Sequence, residues 1–422
     1  MKERSSGVSK LAGSPAALPG TRWHAVSASY LGWALDAFDF FTVVFLIGIL
    51  AAHFHVSKAD IVWALTATLA MRPAGAFLFG LITDRYGRRK SLIAVVIFFS
   101  LIELACSFAP DYTWFLLLRC LYGIGMGGEW GAGASLSLES VPARWRGLVS
   151  GFVQGGYSLG YLLASAAAHF VLPAAGWRAM FWVGAAAGAA LPFYIWVSVP
   201  EPEAWKQHRA PSLRAIVRTT FARPKTFLYL VLLMSLMMFL SHGTQDLYPD
   251  FLETAHKLSA AAVSNIAILY NLGAILGAVI FGYLSEKLGR RRGITVALVL
   301  CIASMPAWAF GGSWVVLTAG AFLMQVGVQG AWGIVPAHLL ELSPDSARGL
   351  MPGFVYQLGI LVAAPTNTIE YALRDSLGYG WALTLFEGIT ILFLLAVVER
   401  GPERRGREFL QEPLPPSQAR AT

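Results

Sequence analysis

The stretch Gly80-Leu81-Ile82-Thr83-Asp84-Arg85-Tyr86-Gly87-Arg88-Arg89 returns 202 residues later as Gly282-Tyr283-Leu284-Ser285-Glu286-Lys287-Leu288-Gly289-Arg290-Arg291. The same offset relates Trp130-Gly131 to Trp332-Gly333 and Gly151-Phe152-Val153 to Gly353-Phe354-Val355. It also relates Glu139-x-x-Pro142-x-x-x-Arg146-Gly147 to Glu341-x-x-Pro344-x-x-x-Arg348-Gly349. Matches that keep one offset without drift imply a duplicated unit.

What is duplicated follows from hydropathy. Of the 422 residues, 56% are hydrophobic and only 13% charged, against roughly a quarter charged in a soluble domain; mean hydropathy is +0.59. Apolar runs of the ~20 residues that cross a bilayer as a helix fall near 26–50, 61–82, 91–109, 113–139, 149–171, 178–198, 226–254, 261–284, 294–311, 314–340, 350–373 and 380–399. Each is far longer than the ~10 alternating residues of a spanning strand. The expected fold is therefore an all-α membrane protein of twelve transmembrane helices in two six-helix pseudo-repeats. The division is a tail (1–22), a bundle (23–198), a basic loop (199–225), a second bundle (226–399) and a tail (400–422). The first apolar run is too long for the core of a cleavable signal and reads as a retained helix. Such a repeat places a substrate site near the midplane between halves that rock.

The net charge of +8 is topological. Of 32 Lys and Arg, Lys58, Arg178, Lys257 and Arg374 flank one side, Arg72 and Arg119 lie inside spans, and the rest sit in the tails and the loops after even-numbered spans. The positive-inside rule puts both tails in the cytoplasm and the chain in the cell inner membrane; no nucleic-acid partner is expected. Cys106, Cys120 and Cys301 are dispersed among spans, so neither metal nor cofactor is expected.

The Gly-x-x-x-Asp-Arg-x-Gly-Arg-Arg loop, with its second copy, resembles the signature of the major facilitator superfamily. That resemblance implies a gate at the cytoplasmic face formed by Asp84, Arg85, Arg88 and Arg89, with Glu286 and Arg290 of the second copy.

Ionisable residues within spans are expensive and so functional candidates. Arg119, in the fourth span, either holds an ion pair with an acid such as Glu129 or is the cation that binds an anion through its planar fork. The glycine run from Gly123 to Gly131 that follows reads as close helix packing rather than a nucleotide loop, because no strand precedes it. Arg72, before Pro73, reads as packing or gating. In the seventh span stands Ser241-His242-Gly243-Thr244-Gln245-Asp246-Leu247-Tyr248-Pro249. His242 and Asp246, four apart, share a helix face with Gln245 beside them; an imidazole and a carboxylate so placed suit proton coupling. Pro249 marks an expected break. Asp36 and Asp39 are alternative proton carriers, whereas Glu103, Glu370 and Glu387 read as packing or end-of-helix residues.

The seventh-span motif is similar to that of the fungal lactate/pyruvate permeases in the sialate:proton symporter family, although Met238 and Asp250 stand where those permeases carry Asn and Thr. The stretches 30–41, 356–359 and 368–370 agree with the same family. The resemblance implies that Arg119 and Gln357 handle the substrate. The function expected is proton-coupled symport of a small monocarboxylate such as lactate or pyruvate, with Arg119, Gln357, Gln245 and His242 on the anion and His242 and Asp246 on the proton. Sialic acid is the alternative substrate, and a non-transporting sensor the alternative class, disfavoured by short tails. Partners are the organic anion, protons and the lipid bilayer; a monomer, and no enzyme, is expected.

Single-cysteine tags at Lys58 or Lys257 should label from outside intact cells and tags at Lys206 or Arg290 should not. The opposite pattern would invert the orientation.

Overall fold

The computed structural model describes residues 19–410; the outer parts of both expected tails, 1–18 and 411–422, lie outside them. Among the described residues the only regular elements are helices. The N-terminal bundle comprises α1 (Pro19–Phe54), α2 (Lys58–Tyr86), α3 (Arg88–Cys106), α4 (Tyr112–Ser140), α5 (Arg146–Ala175) and α6 (Trp177–Ser198). Two short helices, α7 (Glu203–His208) and α8 (Leu213–Phe221), occupy the central connection. The second bundle contains α9 (Pro224–Gln245), α10 (Tyr248–Thr254), α11 (Ala260–Leu288), α12 (Arg290–Phe310), α13 (Trp314–Leu342), α14 (Leu350–Ala363), α15 (Thr366–Leu377) and α16 (Tyr379–Arg400).

Nine helical segments among the described residues are long and apolar enough to cross a membrane, fewer than the twelve runs read from the sequence. The three that fall short have visible reasons. Segment α3 opens on three basic residues and carries Glu103, α4 carries Arg119, Glu129 and many small residues, and the eleventh run is broken into α14 and α15. The seventh run is broken too, between Gln245 and Tyr248, with Pro249 seated in the first turn of α10, where its missing N–H costs nothing.

Close approach of helices is bought by glycine. A Cβ at Gly123 or Gly127 of α4 would strike the backbone of α2 at Thr68 or Arg72, and one at Gly277 or Gly333 would do the same between α11 and α13. The glycine run is thus a packing surface. Where the halves meet, the repeated glycines recur: Gly147 and Gly151 of α5 lie on Gly282 and Ala278 of α11, Gly80 of α2 on Leu350 of α14, and Gly131 of α4 on Gly353 of α14. At the turns that end α2 and α11, Gly87 and Gly289 take φ values of 123° and 101°, a region that disfavours side chains.

The central connection is more than a tether. Ile216 of α8 is buried with Ala210, Ala347 and Leu350, against Phe77, Leu81 and Phe354, so the connection packs over the junction of α2 and α14.

Candidate functional site: gate and central cluster

The repeated loop builds two buried ion clusters on the arginine-rich face. In the first, Arg88 donates from Nη1 to Asp84 (2.7 Å) and grips Glu139 of α4 through Nη2 (2.9 Å) and Nε (3.1 Å). This bidentate fork is the strong form of a charge-assisted bond. Asp84 also accepts the N–H groups of Gly349 and Leu350 at the start of α14, each at 2.8 Å. An acid from one half thereby caps a helix of the other and meets its positive dipole end. In the second cluster Arg290 forks onto Glu341 (2.8 and 3.0 Å) and bonds Glu286 (2.9 Å), while Glu286 accepts the N–H of Gly147 at the start of α5. Two longer pairs cross over, Arg348 to Glu139 at 3.8 Å and Arg146 to Glu341 at 4.0 Å. The two halves are closed against each other at this face.

Four of the six expected gate residues, Asp84, Arg88, Glu286 and Arg290, stand in these clusters. Arg85 and Arg89 stand beside them. The Arg85 guanidinium lies over the Tyr86 ring, and Arg89 bonds the Trp196 carbonyl at the end of α6, tying helices of one half together. Glu139, Glu341, Arg146 and Arg348, which complete the network, were visible in the sequence as repeat positions without an assigned role.

Toward the opposite face two helix breaks converge. His242 Nδ1 lies 3.1 Å from Asp246 Oδ2, and the same oxygen accepts Asn367 Nδ2 at 3.1 Å. Asn367 is in the first turn of α15, just beyond the break at Ala364 and Pro365. The His242 and Asp246 side chains are 42% and 36% exposed. Behind them Glu370 and Glu387 are buried, their four carboxylate oxygens without a protein partner, and a Cβ at Gly243 would strike both. The reading of these two acids as packing residues is therefore corrected: they form one cluster with the His242 pair. Gln245 turns away from His242 and donates to Gln325 of α13 at 2.8 Å.

In the N-terminal half, Arg119 is fully buried and pairs with Glu103 of α3 at 2.7 Å, not with Glu129, and its guanidinium lies 4.0 Å from the Tyr122 ring centre. Among the described residues no hydrogen bond or ion pair joins it to the His242 cluster. Asp36, Asp39 and Glu129 are buried without a protein partner for any carboxylate oxygen. Arg72 is 4% exposed, and its Nε and Nη2 have no protein partner. It lies near Asp36, Glu129, Tyr157 and Tyr356. Arg72 thus faces the seam between the halves. That seam is aromatic: Tyr356 stacks on Trp130 (4.4 Å between centroids) and meets Trp33 and Trp332 edge-on. Gln357, next to Tyr356, is buried with neither amide atom bonded. A cavity of about 10 Å³ lined by Trp33, Glu129, Trp130 and Gln154 opens beside the stack. No cluster that could hold a metal occurs among the described residues.

Comparison with known proteins agrees with this architecture. The Major Facilitator Superfamily profile matches residues 29–249 and 244–420. The chain is 31% identical to a carboxylic acid transporter protein homolog of Saccharomyces cerevisiae, over 92% of this chain and 69% of that one. It is 30% identical to a probable 4-methylmuconolactone transporter of Cupriavidus pinatubonensis, over 90% of each, and 24% identical to the sialic acid transporter NanX of Escherichia coli, over 87% and 91%. In fold it is similar to the human organic anion transporter MFSD10, with a TM-score of 0.75, 16% identity, and coverage of 90% and 100%.

Replacing Asp84 by Asn removes the charge that caps α14 while keeping the shape. Hydrogen bonds to charged groups contribute about 1.5–3 kcal/mol, so the closed population should fall roughly ten- to hundredfold relative to the open one. Pulsed electron paramagnetic resonance between labels at Lys90 and Arg292 should show a new, longer distance. An unchanged distribution would make the cluster a static anchor.

Proposed function

The chain belongs to the Major Facilitator Superfamily, and from that premise we propose that it carries a small monocarboxylate across the inner membrane in symport with protons, by alternating access, with both tails in the cytoplasm. The observation that carries the reading is the convergence of the two broken helices on Asp246. His242, Asn367, Glu370 and Glu387 gather there, open on the side away from the closed gate. Discontinuous helices at the midplane are how carriers of this architecture expose backbone and side-chain ligands. Two buried carboxyls sharing one site cannot both ionise cheaply, so Glu370 and Glu387 serve as a proton store behind the His242 and Asp246 pair.

For the anion we propose Arg72, whose free guanidinium edge faces the seam, with His242, Gln357 and Gln245 supplying further donors. Arg119 is the counter-charge to Asp39 and Glu103 in this state, and Asp36 the acid that balances Arg72. The relatives named as carboxylic acid, methylmuconolactone and sialic acid transporters support an organic acid as cargo. The Trp33, Trp130, Trp332 and Tyr356 cluster favours a second reading, an unsaturated or aromatic acid, since flat π-systems stack on such rings; relatives named for cis,cis-muconate and gallate accord with it.

Ligand-induced thermal stabilisation, which grows with [L]/Kd, tests the anion site with lactate, pyruvate, cis,cis-muconate and sialic acid. Arg72→Lys should weaken binding by roughly thirty- to a hundredfold, since an ammonium does not reproduce the fork and charged bonds contribute about 2–3 kcal/mol; Arg119→Lys should retain it. The reverse ranking would return the anion to Arg119.

Proteoliposomes test the proton. Asp246→Asn or Glu370→Gln should abolish accumulation driven by an inward proton gradient and spare exchange of labelled for unlabelled substrate, because exchange needs only the loaded carrier to reorient. Accumulation that survives in both variants would move the proton to Asp36 or Asp39.

A further inference from the structure

On the arginine-rich face, outside the gate clusters, lies a surface pocket of about 390 Å³ that neither the gate nor the transport reading employs. Its walls come from three separate parts of the chain: residues 207–209 with Arg223 from the central connection, the turn 344–346 ahead of α14, and Arg404 and Arg407 beyond α16. Arg209, Arg223, Arg404 and Arg407 face a single acid, Asp345, with His208 at the rim. Asp345 is already engaged, bonded to Arg348 and, at 2.7 Å, to Arg407. The Arg223 and Arg404 side chains are exposed and bond to no side chain or backbone group among the described residues, so two guanidiniums present unspent donors to the pocket. Arg209 and Arg407 also hold backbone carbonyls of the fold, whereas Arg223 and Arg404 add two positive charges that a single, already engaged acid leaves uncompensated.

The pocket also spans both halves. The 207–209 part of its first wall is tied to the end of α2, through Arg209 Nε to the Arg85 carbonyl (3.1 Å) and Trp205 Nε1 to the Asp84 carbonyl (2.9 Å), whereas Arg223 caps α9 of the second bundle. The opposite wall is tied to the end of α13, through Arg407 Nη1 to the Glu341 and Ser343 carbonyls (3.0 and 2.8 Å). Rocking that opens the gate separates α2 from α14 and so pulls these walls apart. A ligand that touches both binds the gate-closed state better, and by linkage it stabilises that state.

We propose that this pocket is a regulatory site for a multiply charged phosphate, and that its occupancy holds the arginine-rich face closed and slows transport. Phosphate oxygens in tetrahedral array match several guanidinium forks at once, and the volume falls in the range of small-ligand sites. A soluble oligophosphate and the phosphomonoester headgroup of an anionic lipid present the same chemistry, a terminal phosphate that carries more than one negative charge.

The test uses the full chain with sodium tripolyphosphate as probe, against sodium sulfate at matched ionic strength. Tripolyphosphate should raise the melting temperature by several degrees more than sulfate in detergent, and should shorten the distance distribution between labels at Lys90 and Arg292. The Arg223→Ala/Arg404→Ala pair should lower the apparent affinity on the order of tenfold or more, whereas Arg292→Ala, an exposed arginine outside the pocket, should leave it intact. The Arg223→Lys/Arg404→Lys pair keeps the charge and guards against a folding defect; it should bind with intermediate affinity. Nanodiscs separate the sources. Stabilisation by phosphatidic acid over phosphatidylcholine that the alanine pair abolishes, with no further effect of tripolyphosphate, assigns the site to lipid. Stabilisation by tripolyphosphate in phosphatidylcholine alone assigns it to a soluble ligand. A tripolyphosphate effect equal to that of sulfate, or undiminished in the alanine pair, would overturn the proposal.

Discussion

Asp84 accepting the N–H groups of Gly349 and Leu350 solves two problems that neither half solves alone. The first N–H groups of α14 have no partner within their own helix, and an ionised carboxylate at the membrane edge needs donors. Bringing the halves together satisfies both, and Glu286 with Gly147 repeats the arrangement on the other side of the pseudo-twofold axis. The glycines at 80, 147, 151, 282 and 353 follow from this, because the carboxylates reach the opposite backbone only if helices approach to contact. The contact of the halves at this face is therefore a hydrogen-bonding solution, and separating them would leave its groups to water.

Much of this was legible in the chain itself. A repeat at one offset dictates two homologous bundles, and matched glycines and acids at 80–89 and 282–291 foretell two matched ion clusters. The His242 and Asp246 bond was legible because helical spacing alone places them on one face. Residues whose role depends on how one helix is rotated against another were not. Arg119 finds Glu103, sixteen positions earlier on a separate helix, because α3 and α4 pack antiparallel; Glu129 lies nearer in sequence but turns toward Gly32 of α1. Likewise, Glu370 and Glu387 look isolated in sequence, and only the break at Pro365 and the missing side chain at Gly243 bring them together. Arg72 read as packing or gating beside Pro73, yet it lies near groups from three other helices.

The two regions of buried charge differ in one respect that bears on mechanism. At the gate the acids have their partners within the protein, and the clusters close on themselves. Around the seam Asp36, Glu129, Arg72, Gln357, Glu370 and Glu387 retain polar atoms that no protein group bonds. An unmet buried polar group costs about 1–3 kcal/mol, so a site with several of them is held in place by the rest of the fold. A hydrogen-bonding or oppositely charged partner arriving there relieves part of that cost. The acids of the arginine-rich face therefore gain nothing from a further donor, whereas those around the seam do.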